Sequence, residues 1–138
     1  MIGCVFGVAC LSAGCGPKEI RGAKLKGQLV KDGQPLAPEK GERAVSVIFE
    51  RVEPADTRPI RSGGRVQKDG TFTIEGQMEK GTPPGKYEVR ISAEMNGDAE
   101  SRFAPLFADG KTPFVADVTA DEDQFFVIDV GKKTITKR

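Results

Sequence analysis

The chain has 138 residues, with 21 Lys and Arg against 20 Asp and Glu and no His at all. That length suits one domain and is short for two. A formal net charge of +1 gives no argument for nucleic acid or for an anionic membrane patch. The missing histidine excludes Ser–His and Cys–His nucleophile systems, imidazole general bases and His-ligated zinc. Val and Ile together number 20 against five Leu, a bias towards strands, and 26 Gly and Pro residues punctuate the chain with turns.

Residues Ile2 to Ala13 form an apolar run too short to span a bilayer as a helix. It has the length of a signal-peptide hydrophobic region and leads into Ser12-Ala13-Gly14-Cys15. These residues resemble a bacterial lipobox, although Ser12 stands where Leu is usual. The resemblance implies cleavage after Gly14 and a diacylglyceryl group on the Cys15 thiol. Residues 1–14 are then a lipoprotein signal peptide and residues 15–22 a polar tether. Cys4 and Cys10 would leave with the signal and Cys15 would be a thioether, so no disulfide, redox pair or thiolate metal site is expected.

The domain is expected over residues 23–131. Lys24 to Val30 alternates, with Leu25 and Leu29 inward, and closes on the Asp32-Gly33 turn signal. Ala44 to Val52 puts Val45, Val47 and Phe49 on one face, with Ile48 needing cover on the other. Arg65 to Ile74, with Asp69-Gly70 at its centre, reads as a hairpin with Phe72 and Ile74 inward. Pro83-Pro84-Gly85 leads into Lys86 to Ala93, where Tyr87, Val89, Ile91 and Ala93 face a core in strict alternation. Met95 to Asp123 has little regular pattern apart from a short strand at Phe114 to Val118. Gln124 to Gly131 closes the fold with Phe126, Ile128 and Val130 inward, leaving Phe125 and Val127 to be covered, and residues 132–138 read as a basic tail. Short strands between Gly/Pro turns, with no helical period, predict an all-β, antiparallel Ig-like or prealbumin-like sandwich of about seven strands.

Three motifs in order carry a resemblance: Gly27 to Leu36 (GQLVKDGQPL), Lys68 to Ile74 (KDGTFTI) and Pro83 to Val89 (PPGKYEV). Together they resemble bacterial domains related to the carboxypeptidase regulatory-like, or transthyretin-like, β-sandwich. Pro105 to Val118 followed by Phe125 to Val130 is similar to the tail of small planctomycete-type lipoproteins of this class. The resemblance implies structural roles: Gly33 and Gly70 in turns, Gly85 at a tight strand start, Phe72 and Tyr87 in the core. It implies no catalytic activity and no cofactor.

Other constellations are weighed against plainer readings. Asp121-Glu122-Asp123, flanked by Asp117 and Asp129, offers oxygen ligands for calcium, with Asp121 and Asp123 the candidates. No D-x-D-x-D-G spacing is present, and a solvated loop guarding an edge strand is the favoured reading. Arg58, Arg61 and Arg65 around Gly63-Gly64 could cradle an anion, but lack a phosphate-loop pattern. Tyr87, the one tyrosine, is expected in the core with its hydroxyl tied to nearby backbone. Phe103, Phe107 and Phe114 either plug the sandwich or form a recognition rim on Met95 to Asp123, the segment expected to make any partner contact.

The function expected is therefore a lipid-anchored, non-catalytic binding or structural module on the exported side of a bacterial membrane. Its partners would be the membrane, through the lipid, and an envelope protein; no nucleic acid is expected. A small hydrolase on a transthyretin-like scaffold is disfavoured by the absence of His. A carbohydrate-binding accessory module is disfavoured by the absence of Trp and the single Tyr.

Overall fold

A computed structural model describes residues 22–53, 60–75, 81–120 and 123–138. The lipobox with Cys15, together with Arg58 and Asp121, lies outside the described residues. Among those described, nine strands form two facing sheets. They are β1 (Lys24–Lys31), β2 (Gln34–Pro35), β3 (Glu42–Glu53), β4 (Arg61–Arg65) and β5 (Thr71–Ile74), then β6 (Gly85–Met95), β7 (Phe114–Val118), β8 (Asp123–Asp129) and β9 (Thr134–Lys137). The first sheet runs β2-β1-β8-β9, with β5 beside the first half of β1; the second runs β4-β3-β6-β7. The protein is an all-β sandwich.

The alternation read from the sequence fixes which side chains meet between the sheets. Leu25 and Leu29 of β1, Phe72 and Ile74 of β5, and Phe126 and Ile128 of β8 are buried from one side. Val45, Val47 and Phe49 of β3 and Tyr87, Val89 and Ile91 of β6 meet them from the other. Each large apolar side chain fully buried this way contributes roughly 1.5–3 kcal/mol. Phe49 is the bridge, its ring centroid 5.6 Å from that of Phe126 in the opposite sheet and 6.2 Å from that of Tyr87 in its own. Ala93 and Val130, expected inside, are only partly buried against this core. Ile48, Phe125 and Val127 are half-buried on the outer faces, shielded laterally by neighbouring strands.

Three features depart from the sequence reading. Among the described residues one pairing, β1 with β8, is parallel in an otherwise antiparallel sandwich. The parallel pair follows from where the chain changes sheets. β7 ends, and β8 begins at Asp123 paired with Lys24, at the end of the sandwich where β1 also begins, so β8 runs alongside β1 in the same direction.

The second departure concerns the expected hairpin from Arg65 to Ile74. Its turn forms, with the Gly70 N–H donating to the Gln67 carbonyl at 3.0 Å and the Gln67 N–H to the Thr71 carbonyl at 2.7 Å. The arms then separate, β4 pairing with β3 and β5 with β1, so the chain turns a corner between sheets. A bridge from the Glu75 N–H to the Gly63 carbonyl, at 3.3 Å, links the two arms among the described residues, and Gly64 lets them approach closely. Phe72 and Ile74 must fill the core from the first sheet, whereas the Ser-Gly-Gly stretch of β4 has no apolar face to bring with them.

The third departure is the basic tail. Residues 134–137 form β9, an edge strand paired antiparallel with β8. Ile135 is partly buried against the core and supplies the apolar contact that a solvated tail would lack. Exposed lysines in the turn and on the strand had masked that signal.

Tyr87 is fully buried, and its hydroxyl donates to the Pro83 carbonyl at 2.7 Å. Tyr87→Ala is expected to cost ~3–5 kcal/mol as a large-to-small core change. Tyr87→Phe removes only the hydrogen bond and should cost about 1 kcal/mol. Urea-unfolding midpoints of the two variants check both values.

Candidate functional site

The sandwich has two unlike ends. The chain comes in at one of them, where Ala23 pairs with Thr82 through reciprocal backbone bonds of 2.8 and 2.9 Å. The end of β7, the start of β8 and the end of β9 lie at this end too. The opposite end carries the β1–β2 turn, the β2–β3 connection, the corner turn at Gly70, the β8–β9 turn and the long segment 96–113. That segment folds over the open mouth between the sheets as a cap.

Sequence drives the cap's shape locally. The Ser101 hydroxyl accepts the Phe103 N–H at 3.2 Å, and Pro105 sits in the first turn of a 3-10 helix, Ala104–Phe107. Pro lacks an N–H, and the first turn has no internal use for one. Phe103 and Phe114 are buried; Phe107 is half-buried with the Arg90 guanidinium 5.8 Å from its ring centroid. Two of the three rings thus plug the core and one remains near the surface. The Thr112 hydroxyl donates to the Val89 carbonyl and accepts the Phe114 N–H, which returns the chain to β7.

Arg102 clamps the cap to the β2–β3 connection. Its Nε donates to Glu42 at 3.2 Å and one terminal nitrogen donates to the other Glu42 oxygen at 2.9 Å, a two-pronged fit. The same nitrogen donates to the Ala37 carbonyl at 2.8 Å, and the remaining one to Glu39 at 3.0 Å. The guanidinium lies 4.8 Å from the centroid of the Phe103 ring. The Glu42 side chain is 3% exposed, so Arg102 balances a carboxylate that water scarcely reaches. This clamp was not legible beforehand. Glu39, Glu42 and Arg102 sit in two charged stretches sixty residues apart, and charge alone does not reveal a pairing.

Beside the clamp lies a notch of about 180 Å³, walled by Leu36, Phe103, Pro105, Leu106 and Val130 with Lys31 and Arg102 at its edge. Its walls come from the β2–β3 connection, the cap and the start of the β8–β9 turn, with Lys31 at the end of β1 on its edge. Asp129 ties the β8–β9 turn to the β1–β2 turn. One of its carboxylate oxygens accepts the N–H groups of Gly131 and Lys132, both at 3.0 Å, and of Asp32 at 3.1 Å. The bond from Lys132, helped by those from Asp32 and Gly131, holds the Asp129 pKa below the usual carboxylate value against the opposing effect of desolvation.

Phe103 apart, the residues singled out from the sequence fall elsewhere. Asp32 and Gly33 both have positive φ, 50° and 84°, as a two-residue hairpin turn requires. Gly70 has φ 81°, and a Cβ there would lie 2.8 Å from the Leu29 carbonyl oxygen, so both conformation and close approach demand glycine. Gly85 has φ 152°, and a Cβ would overlap the Glu53 carbonyl and stand 2.8 Å from Arg51 Cδ. Phe72 lies in the core and Tyr87 beneath the opposite end, where burial raises its pKa. None of these six lines the notch. Asp123 is exposed at the start of β8, and among the described residues no group of three His, Cys, Asp or Glu side chains stands close enough to hold a metal ion.

A second cleft, about 280 Å³, follows the corner between β4 and β5 and is lined by Gly63, Gly64, Arg65, Thr71, Thr73 and Glu75, among others. It brings Arg65 beside the paired glycines but opposes it with Glu75, so it is not a one-sign anion cradle.

Compared with protein-family models, with curated proteins and with solved structures, the chain matches none. The site is therefore interpreted from its own geometry.

Arg102→Ala is expected to destabilise the domain by roughly 3–5 kcal/mol, because it takes the cation from the buried Glu42 carboxylate and leaves it the Glu39 N–H, at 2.7 Å. Glu42→Gln in the same chain should recover part of that loss, which a double-mutant cycle of thermal or urea unfolding measures.

Asp129 gives a pH prediction. Its pKa is lower folded than unfolded, so its contribution is fully present above the ordinary carboxylate value of about 3.9. It is lost as pH falls through the depressed folded value. Stability should therefore drop on acidification, and Asp129→Asn should flatten part of that acid limb in urea midpoints followed from neutral pH downward.

Proposed function

We propose that the chain is a lipid-anchored β-sandwich of the bacterial cell envelope. It works without catalysis, as a binding or structural module. The observation that supports this most directly is the polarity of the domain. The described chain starts at Gly22, seven residues beyond the lipobox-like Cys15, and its first strand leads away from that end towards the cap. An anchor at Cys15 would hold the Ala23 end against the membrane and present the cap with its notch outward.

Cysteine placement supports the same reading. All three cysteines, Cys4, Cys10 and Cys15, precede Gly22, so the domain itself offers no thiol and the only candidate for lipid chemistry is in the leader. The resemblance to transthyretin-like lipoprotein domains points the same way. In this reading the notch takes one apolar side chain of an envelope protein. Its walls are rigid in the sense that matters for binding. Arg102 and Asp129 fix the turns around it, so little side-chain ordering remains to be paid on contact.

Intact-mass analysis of membrane-extracted protein is expected to show diacylglycerol on Cys15. Release of an unlipidated form that retains Cys15 would overturn the anchor. A photo-crosslinking residue at Leu106, on the notch, is expected to capture an envelope protein in cells. The same residue at Val115, exposed on β7, should capture far less. Equal capture at both positions would overturn the cap as the contact surface.

A further inference from the structure

Asn96 is the only asparagine in the chain, and it is followed by Gly97. We propose that Asn96–Gly97 is a self-modifying site, which converts by intramolecular attack to isoaspartate and loosens the cap at its root. The chemistry needs no oxidant or cofactor. The Gly97 main-chain nitrogen attacks Asn96 Cγ, a C–N bond forms, and the side-chain nitrogen leaves as ammonia. Water then opens the five-membered succinimide at one of its two carbonyls. Opening at one gives aspartate; opening at the other moves the main chain through the former side chain and gives isoaspartate. The net reaction is amide plus water to carboxylate plus ammonium.

Several observations converge on this pair. Both residues are exposed, in the turn immediately after β6. The Gly97 N–H has no hydrogen-bond partner among the described residues, and neither has the Asn96 side-chain amide, so nucleophile and electrophile are both unencumbered. Gly97 has φ 73° with nothing within 4 Å of where a Cβ would be, so no other group crowds the α-carbon beside the attacking nitrogen.

The three Asp-Gly turns are poorer substrates. Their carboxylates are weaker electrophiles than an amide at neutral pH. The Gly70 and Gly110 nitrogens already donate to Gln67 and Phe107. The Asp69 carboxylate is occupied by the Thr71 N–H and hydroxyl, and that of Asp32 lies against Gly131.

The position gives the reaction a structural consequence. The Asn96 N–H donates to the Gly41 carbonyl at 2.9 Å and ties the start of the cap to the β2–β3 connection that Arg102 also grips. Isoaspartate adds a methylene to the main chain at that point. It also adds a carboxylate close in sequence to Glu94, Asp98 and Glu100. Both changes act against the Asn96–Gly41 bond.

The test incubates the purified full chain at mildly alkaline pH and 37 °C and follows residue 96 by peptide mapping that separates aspartate from isoaspartate. Isoaspartate should accumulate at residue 96 as the main product, ahead of any change at the three Asp-Gly turns. Gly97→Ala, whose Cβ hinders the attack, should slow it at least about tenfold. Because that variant is strained at positive φ, Asn96→Gln serves as a second control and should give no product. The converted protein, separated by ion exchange, should exchange the amide hydrogens of the cap faster than the parent does. Asn96→Asp, which adds the charge without the methylene, should stay closer to the parent. No isoaspartate in the wild-type chain, or conversion at an equal rate in Gly97→Ala, overturns the site. Unchanged cap exchange in the converted protein overturns its structural effect.

Discussion

The contact between Phe49 and Phe126 is the one on which the rest of the molecule depends. The described domain contains no cysteine, so no covalent link holds its two sheets together. Adhesion rests on apolar side chains meeting across the interface, and Phe49 meets Phe126 at its centre. Around that pair the strands have little freedom. A slip of one residue in β3 would turn Phe49 and both neighbouring valines to solvent. The same constraint explains the corner at β4 and β5. The chain supplies one good apolar pair there, Phe72 and Ile74, and that pair is used where the first sheet needs it, at the expense of a local hairpin.

Alternation and turn chemistry made most of the core legible in advance. Leu25, Leu29, Val47, Phe72, Tyr87, Val89 and Phe126 are each buried where period-two patterning placed them. The Asp-Gly pairs turn where expected, and the Tyr87 hydroxyl finds a backbone carbonyl four residues back. These signals are local: each depends on residues within a few positions. What escaped the sequence was pairing at a distance. Nothing in Arg65 to Ile74 says that its two arms belong to different sheets, because that is decided by β3 and β1, which lie earlier in the chain. Nothing in Lys132 to Arg138 reveals an edge strand, because its one partly buried side chain, Ile135, sits among threonines and lysines. The candidate site was the least legible part. Its clamp unites Glu39, Glu42 and Arg102, and a single apolar residue beside each would have looked the same in a solvated loop.

The two ends of the sandwich divide the tasks that one small domain has to combine. The end at Ala23 is defined by main-chain pairing with Thr82 and by strand termini. The cap end is defined by side-chain chemistry, a guanidinium gripping two carboxylates and a carboxylate gripping three amides. Side-chain clamps of this kind add little where a sheet ladder already fixes the backbone. They matter where the chain leaves the ladder, which is also where a surface free to recognise something can be built. The location of the clamps is thus an argument about function as well as about stability.

The notch also shows why a near-neutral chain need not have a bland surface. Arg102 is paired with Glu39 and Glu42, and Asp129 with backbone amides, so these ions hold the cap and the turns beside it without lending this end a strong field. Lys31, at the edge of the notch, has no carboxylate partner among the described residues. Recognition here would be decided by the shape of an apolar wall, with a single cation setting orientation. In the proposed reading, such a surface holds one side chain of a partner whose other contacts are made elsewhere. Around the notch Arg102 and Asp129 turn their charges inward to hold the cap and the neighbouring turns in place, and what they leave exposed is the shape of the wall.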